Sequence, residues 1–266
     1  MADDSTTLRK GAPGAIGSYA ALGDSFTEGV GDPAPDGTFI GWADRLAALL
    51  GSRSPDGGFR YANLAVRGKL LDQIVEDQLP RAVDLAPDLV TFCAGGNDIL
   101  RPGSDPDDVA ERLEAAVARL SPEVGTVLLC TGFDTRGTPV LRHLRGKIAT
   151  YTAHVRAIAD RHQCPVLDLW SLRSVQDRRA WSDDRLHLSP EGHTRVALRA
   201  AQVLGIDVPS DPDEAWPEPA VRPASEVRRE NLRWGREHLV PWIGRRLRGE
   251  SSGDHVVAKR PDLLPL

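Results

Sequence analysis

Five short apolar runs, at 18–22, 61–66, 89–94, 126–130 and 165–170, alternate with longer stretches whose apolar residues recur at helical spacing, and this alternation constrains the fold most. A run that is apolar at nearly every position is buried on both faces, which a strand achieves inside a sheet covered by helices on each side. Strands separated by helices join in parallel, through right-handed crossovers. The sequence therefore predicts an α/β protein: a three-layer α/β/α sandwich around a five-stranded parallel sheet. Helices are expected over 39–50, 71–79, 107–120 and 140–162, with a last core helix ending near 204. Ser189 and Pro190 fit the N-cap and first turn of that last helix.

In such a sheet, ligands bind beyond the carboxyl ends of the strands. The first run ends at Gly23-Asp24-Ser25, the second opens into Arg67-Gly68, and the third runs into Gly95-Gly96-Asn97-Asp98. Ser25 is thus delivered to the chemical edge as a candidate nucleophile. An unaided hydroxyl is a poor one, so it needs a base, an acid that orients the base, and donors for an oxyanion. His187 is placed to be the base, because it falls in a loop just before a helix start. Asp184, three residues earlier, and Asp183, four earlier, compete to orient it, and the spacing of three, read as one helical turn, favours Asp184. His193 falls in the first turn of the last core helix and reads as a surface or packing residue. Asp24 reads as a turn or cap residue, and each of the other positions has a similarly bland reading as a cap, turn or strand end.

Taken in order, Gly23-Asp24-Ser25, Asn63 to Gly68, Gly96-Asn97-Asp98 and Asp184-Arg185-Leu186-His187 resemble the four blocks of the SGNH (GDSL) hydrolase superfamily, and in particular its lysophospholipase-like esterases. The resemblance covers about residues 18–204. It implies the flavodoxin-like SGNH hydrolase fold, with Ser25, Asp184 and His187 as a catalytic triad. It also implies an oxyanion hole made by the Ser25 and Gly68 backbone N–H groups and the Asn97 side chain. Phe26 stands where leucine is usual in the family, which puts the acyl pocket, and not the chemistry, in question. Phe26, Arg67 and Asp98 are further candidates for contact with substrate. Lys69 and Arg136 also lie near the site edge and could meet an anionic group, but for all three cations solvated surface charge is the preferred reading.

The implied activity is hydrolysis of carboxylic esters, short-acyl or lysophospholipid-like, through an acyl-enzyme. A sugar or secondary-metabolite deacetylase and an acyltransferase remain open, as does a non-catalytic binding protein on the same fold. The sheet edge lacks the glycine pattern of a dinucleotide site, and no HExxH or paired His/Cys spacing is present, so neither cofactor nor metal is expected. With 38 acidic and 33 basic residues the net charge is −5, which gives no electrostatic reason to expect nucleic acid. The partner expected is a small-molecule or lipid ester. Cys93, Cys130 and Cys164 lie in or beside apolar runs and read as buried thiols.

The N-terminus has acids where a signal peptide has bases, and no window is long and apolar enough for a stable membrane insertion, so a cytoplasmic location is expected. The chain divides into a mobile leader (1–16), a hydrolase domain (17–206), a linker (207–224) with five prolines between 207 and 223, and a helical extension (225–266). A basic helix kinked near Pro241 is expected at 225–248, carrying Leu232, Trp234, Trp242, Ile243 and Leu247.

Overall fold

The computed structural model describes residues 16–54, 57–138, 141–219, 222–241, 244 and 253–266. The leader up to residue 15, together with Trp242, Ile243 and Leu247, lies outside them. Five parallel strands are present: β1 (Ser18–Gly23), β2 (Arg60–Asn63), β3 (Leu89–Cys93), β4 (Thr126–Cys130) and β5 (Val166–Leu167). Successive residues of each strand enter opposite cores, as the period of two requires. Ala20, Leu22, Val90, Phe92 and Leu129 pack on one side of the sheet. Tyr19, Ala21, Leu89 and Leu128 pack on the other.

The first face is covered by α3 (Leu71–Asp77), α4 (Leu79–Leu85), α6 (Pro106–Leu120) and α7 (Arg145–Arg161). The second is covered by α2 (Trp42–Gly51) and α8 (Pro190–Val203). Two single-turn helices, α1 (Ser25–Glu28) and α5 (Gly96–Ile99), follow β1 and β3 directly. Ser189 caps α8 as its sequence predicts, its hydroxyl accepting from the Gly192 N–H with Pro190 in the first turn.

A sixth strand, β6 (Arg260–Pro265), adds to the expected five and runs antiparallel to β2, giving the order β5-β4-β3-β1-β2-β6. The stretch expected as a helical extension therefore ends in a strand. Pro261 and Pro265 deny it a helix, and both are tolerated on a sheet edge. The chain adds β2 on one side of β1 and β3 to β5 on the other, so the strand order reverses and the switch point lies between β1 and β3, which carry Ser25 and Asn97 just past their carboxyl ends.

Residues 207–219 form neither helix nor strand, in line with their prolines. They are nevertheless tied to the core: the Trp216 indole N–H donates to the Ser174 carbonyl at 2.8 Å, and Arg195 and Arg179 stack on the Trp216 ring. Beyond them α9 (Ala224–Trp234) passes into a wide turn of π-helix at Gly235–Leu239, one residue short of Pro241, where the missing N–H breaks the regular ladder. Among the described residues no helix is long and apolar enough to cross a membrane.

Candidate active site

β1 runs straight into α1, so Ser25 is the first residue of a helical turn and sits at the mouth of the switch point. Its Oγ lies 3.0 Å from His187 Nε2, and His187 Nδ1 lies 2.6 Å from Asp184 Oδ2. An ionised carboxylate only accepts, so Nδ1 carries the proton and Nε2 is left to accept from the Ser25 hydroxyl. Gly31 brings the two loops together: a Cβ there would stand 2.1 Å from the Leu188 carbonyl oxygen, a contact only glycine permits.

The acid and the base occupy a tight turn and not a helical one. Ser182 N–H donates to the His187 carbonyl, and Arg185 between them is left-handed, with φ of 59°. In that turn Asp184 Oδ1 accepts from the Leu186 N–H (2.9 Å), the His187 N–H (3.0 Å) and the Ser182 hydroxyl (2.7 Å). Burial by itself would raise this carboxyl, but the hydrogen bond and charge of His187, with the two backbone N–H donors, hold it well below the usual carboxylate range. Asp183 is exposed and makes no bond to the imidazole among the described residues; the contact is made by Asp184, three positions before His187, although the turn is not helical.

Gly68 has φ of 76°, in the left-handed region that favours glycine. The turn before it is fixed by Arg67, whose N–H donates to the buried Glu28 carboxylate at 2.7 Å and whose guanidinium pairs with the same group while covering the Phe39 ring. Arg67 lines the site, but its charge is already matched. Among the described residues nothing accepts from the N–H of Ser25 or of Gly68. Asn97 Nδ2 donates to Asp24 Oδ2 at 2.9 Å and to the Lys69 carbonyl at 3.1 Å. Asp24 is buried, and its other oxygen accepts from the Phe26 N–H. It therefore does more than cap a turn: it ties the tip of β1 to the tip of β3. A buried acid beside a nucleophile and opposite an amide was the available signal, but the pairing is between distant residues and needs the fold.

Asp98 is not brought to the site. It is buried elsewhere, accepting from the Leu71 N–H at 2.9 Å and facing Arg112. His193 is a packing residue, with Nδ1 accepting from the Trp42 N–H at the start of α2 and Nε2 against the Val30 carbonyl. Burial pushes its imidazole down to about 3, so it is neutral.

A cavity of about 440 Å³ opens on Ser25, and Phe26 and Gly68 also line it. Much of its wall is apolar, with Ile99, Leu100, Leu141, Ile148 and Leu169 among its residues. Cys93 and Cys130 also line it, and the hydrogen bond between the two thiols, with burial, pushes Cys93 well above the ordinary thiol range. A thiol held protonated is no rival nucleophile. Glu237, His238 and Pro241 line the same cavity from the far end of the chain, a contribution that local sequence patterns do not signal.

The profile of the GDSL-like lipase/acylhydrolase family matches residues 21–195. Among curated proteins no match is found. Among solved structures the chain is similar to LAE5, an alpha/beta hydrolase enzyme from the metagenome of Lake Arreo, Spain, with 23% identity over 71% of this chain and 95% of that one and a TM-score of 0.61. It is likewise similar to Axe2, an acetylxylan esterase from Geobacillus stearothermophilus, with 21% identity over 75% of this chain and 98% of that one and a TM-score of 0.61. Likeness at these identities speaks for the fold.

Proposed function

This chain belongs to the GDSL-like lipase/acylhydrolase family and is a carboxylic ester hydrolase, and from that premise we propose that it works through an acyl-enzyme on Ser25, with esters of short to medium acyl chains as substrates. The observation that carries the proposal is the unbroken chain of contacts from Ser25 Oγ to His187 Nε2 and from His187 Nδ1 to Asp184.

In this reading Ser25 Oγ attacks the ester carbonyl carbon as its proton passes to His187 Nε2. Asp184, already ionised, stabilises the imidazolium and keeps the ring in the tautomer that accepts from serine. The carbonyl oxygen becomes an oxyanion and takes the N–H groups of Ser25 and Gly68. Asn97 joins them by turning towards the substrate the N–H that otherwise lies on the Lys69 carbonyl. Each such donor is worth about 3 kcal/mol of barrier. Collapse of the intermediate breaks the ester C–O bond, and His187 gives its proton to the leaving alcohol. Water then adds to the acyl carbon as its proton passes to His187, and collapse breaks the bond to Ser25 Oγ, which takes the proton back from His187 as the acid leaves.

The apolar wall beyond Ser25 supports an acyl group longer than acetyl. Each buried methylene is worth about 0.8 kcal/mol, so kcat/KM is expected to climb roughly fourfold per carbon until the cavity is full. The wall favours a lysophospholipid-like or medium-chain ester over the acetylated sugars named for Axe2. Rates on acetyl, butanoyl, octanoyl and lysophospholipid substrates separate these readings, and product analysis with an added alcohol separates hydrolysis from transfer. Ser25→Ala is expected to abolish ester turnover and fluorophosphonate labelling. Full activity in that variant would overturn the mechanism.

A further inference from the structure

α9 lies beyond the family-matched segment and buries none of its residues, with Val227 and Leu232 both exposed. Apolar burial is therefore not what holds it against the domain. Its described contacts with the hydrolase core converge instead on the turn that carries the acid and the base. Trp234 Nε1–H donates to the Asp184 backbone carbonyl at 2.9 Å. Arg185 Nη1 donates to Asn231 Oδ1 at 2.7 Å, and its guanidinium carbon stands 4.8 Å from the centre of the Trp234 ring. Glu230 faces the same guanidinium at 3.5 Å.

These contacts fall where the turn is least able to hold itself. Arg185 is left-handed, a conformation a residue with a Cβ keeps only when its surroundings fix it. That same conformation lets Asp184 Oδ1 accept from both Leu186 and His187 while Oδ2 meets the imidazole. Two anchors thus grip the turn from outside, one on the carbonyl of the acid and one on the side chain of the residue that follows.

We infer that Trp234 is a positioning residue for the reaction: by holding the Asp184 carbonyl it keeps the acid seated on His187 Nδ1, and it makes α9 part of the catalytic unit. The inference rests on the assignment of Asp184 and His187 above. It concerns geometry in the transition state, where the imidazolium forms, more than the binding of ester.

The test uses full-length Trp234→Phe, which keeps a ring for Arg185 and loses only the N–H. One neutral hydrogen bond is worth a factor of a few up to about tenfold, so kcat on a p-nitrophenyl ester should fall about fivefold with KM within about twofold. The downfield NMR resonance of the His187 Nδ1 proton should shift or broaden. Unchanged kcat with an unchanged resonance overturns the inference, and so does a change confined to KM, which would make Trp234 a wall of the cavity. Should Trp234→Phe fail to fold, Asn231→Ala removes the shortest of the bonds between Arg185 and α9 and is read the same way: a fall in kcat of about threefold supports the inference, and none overturns it. Ser25→Ala run in parallel keeps the two readings apart, because its loss of activity tests the mechanism whatever Trp234 does.

Discussion

Asp24 and Asn97 join the tips of two strands: the Asn97 amide donates to Asp24 Oδ2 at 2.9 Å, while Asp24 Oδ1 accepts from the Phe26 N–H of the nucleophile's own turn. One carboxylate therefore sets the position of Ser25 and of a proposed oxyanion donor together. The less a donor has to reorganise as charge develops, the more it is worth, and the bond to Asp24 limits how far the Asn97 amide has to turn.

Asp24→Asn separates these duties. The amide oxygen still accepts from Phe26, but its NH2 group confronts that of Asn97, and donor faces donor. Steady-state kinetics should show kcat reduced by about tenfold to a hundredfold, with KM within about threefold. A thermal midpoint close to that of the parent would show that the loss lies in the site. Unaltered kcat would remove Asp24 from the machinery.

The apolar wall makes a prediction about substrate length. Ile148 lines the cavity from α7 and is partly buried, so Ile148→Trp fills space that a long acyl chain would occupy. Relative to acetyl ester, kcat/KM for octanoyl ester should fall at least tenfold, about the discrimination that one or two excluded methylenes supply. Equal losses on both substrates would mean that the acyl chain lies elsewhere.

The sheet and the convergence of the candidate site residues were legible for the same reason: local patterns carry them. Apolar runs mark strands buried on two faces, and Ser25, Gly68 and Asn97 each follow such a run. Ser189 and Pro190 announce the helix behind His187. The C-terminal strand was not legible, because β6 gains its stability by covering the open edge of β2, a partner about 200 positions away, and its prolines read locally as a break. The partners of Arg67, Asp98 and Trp234 escaped for a like reason. Whether a charged or polar side chain meets substrate depends on which distant group satisfies it first, here Glu28 for Arg67, the Leu71 N–H for Asp98 and the Asp184 carbonyl for Trp234.

The C-terminal segment also contributes to stability through Lys259. Its ammonium donates to the Glu28 carbonyl at 2.6 Å, the Phe39 carbonyl at 2.8 Å and Asp44 Oδ2 at 2.7 Å, with the side chain only 16% exposed. Lys259→Ala leaves two carbonyls and a carboxylate short of a donor, a loss of about 2 kcal/mol. For a chain of this size that lowers the unfolding midpoint by roughly 4–8 °C, which calorimetry would detect. An unchanged midpoint would mean that water replaces the ammonium without cost.

His193 makes the protein sensitive to mild acid. Its buried imidazole titrates at about 3, against an ordinary 6.5, so between those values the unfolded chain binds a proton that the folded chain refuses. The sign follows directly: stability is full above 6.5 and falls as pH drops, by at most about 1.4 kcal/mol per pH unit and so by about 2 kcal/mol at pH 5. Asp184 acts in a lower window, since a carboxyl held below its ordinary value of 3.8 loses its contribution only as pH falls past that value. Asp32 and Asp98 are shifted upward by burial and act with the opposite sign near the lower window. The difference between parent and variant isolates the histidine. His193→Asn keeps an acceptor for the Trp42 N–H and has nothing to titrate, so denaturant unfolding from pH 7 to pH 5 should lose the slope that the parent shows. Parallel slopes in the two proteins would mean that the histidine is protonated in the fold, and that burial does not hold it neutral.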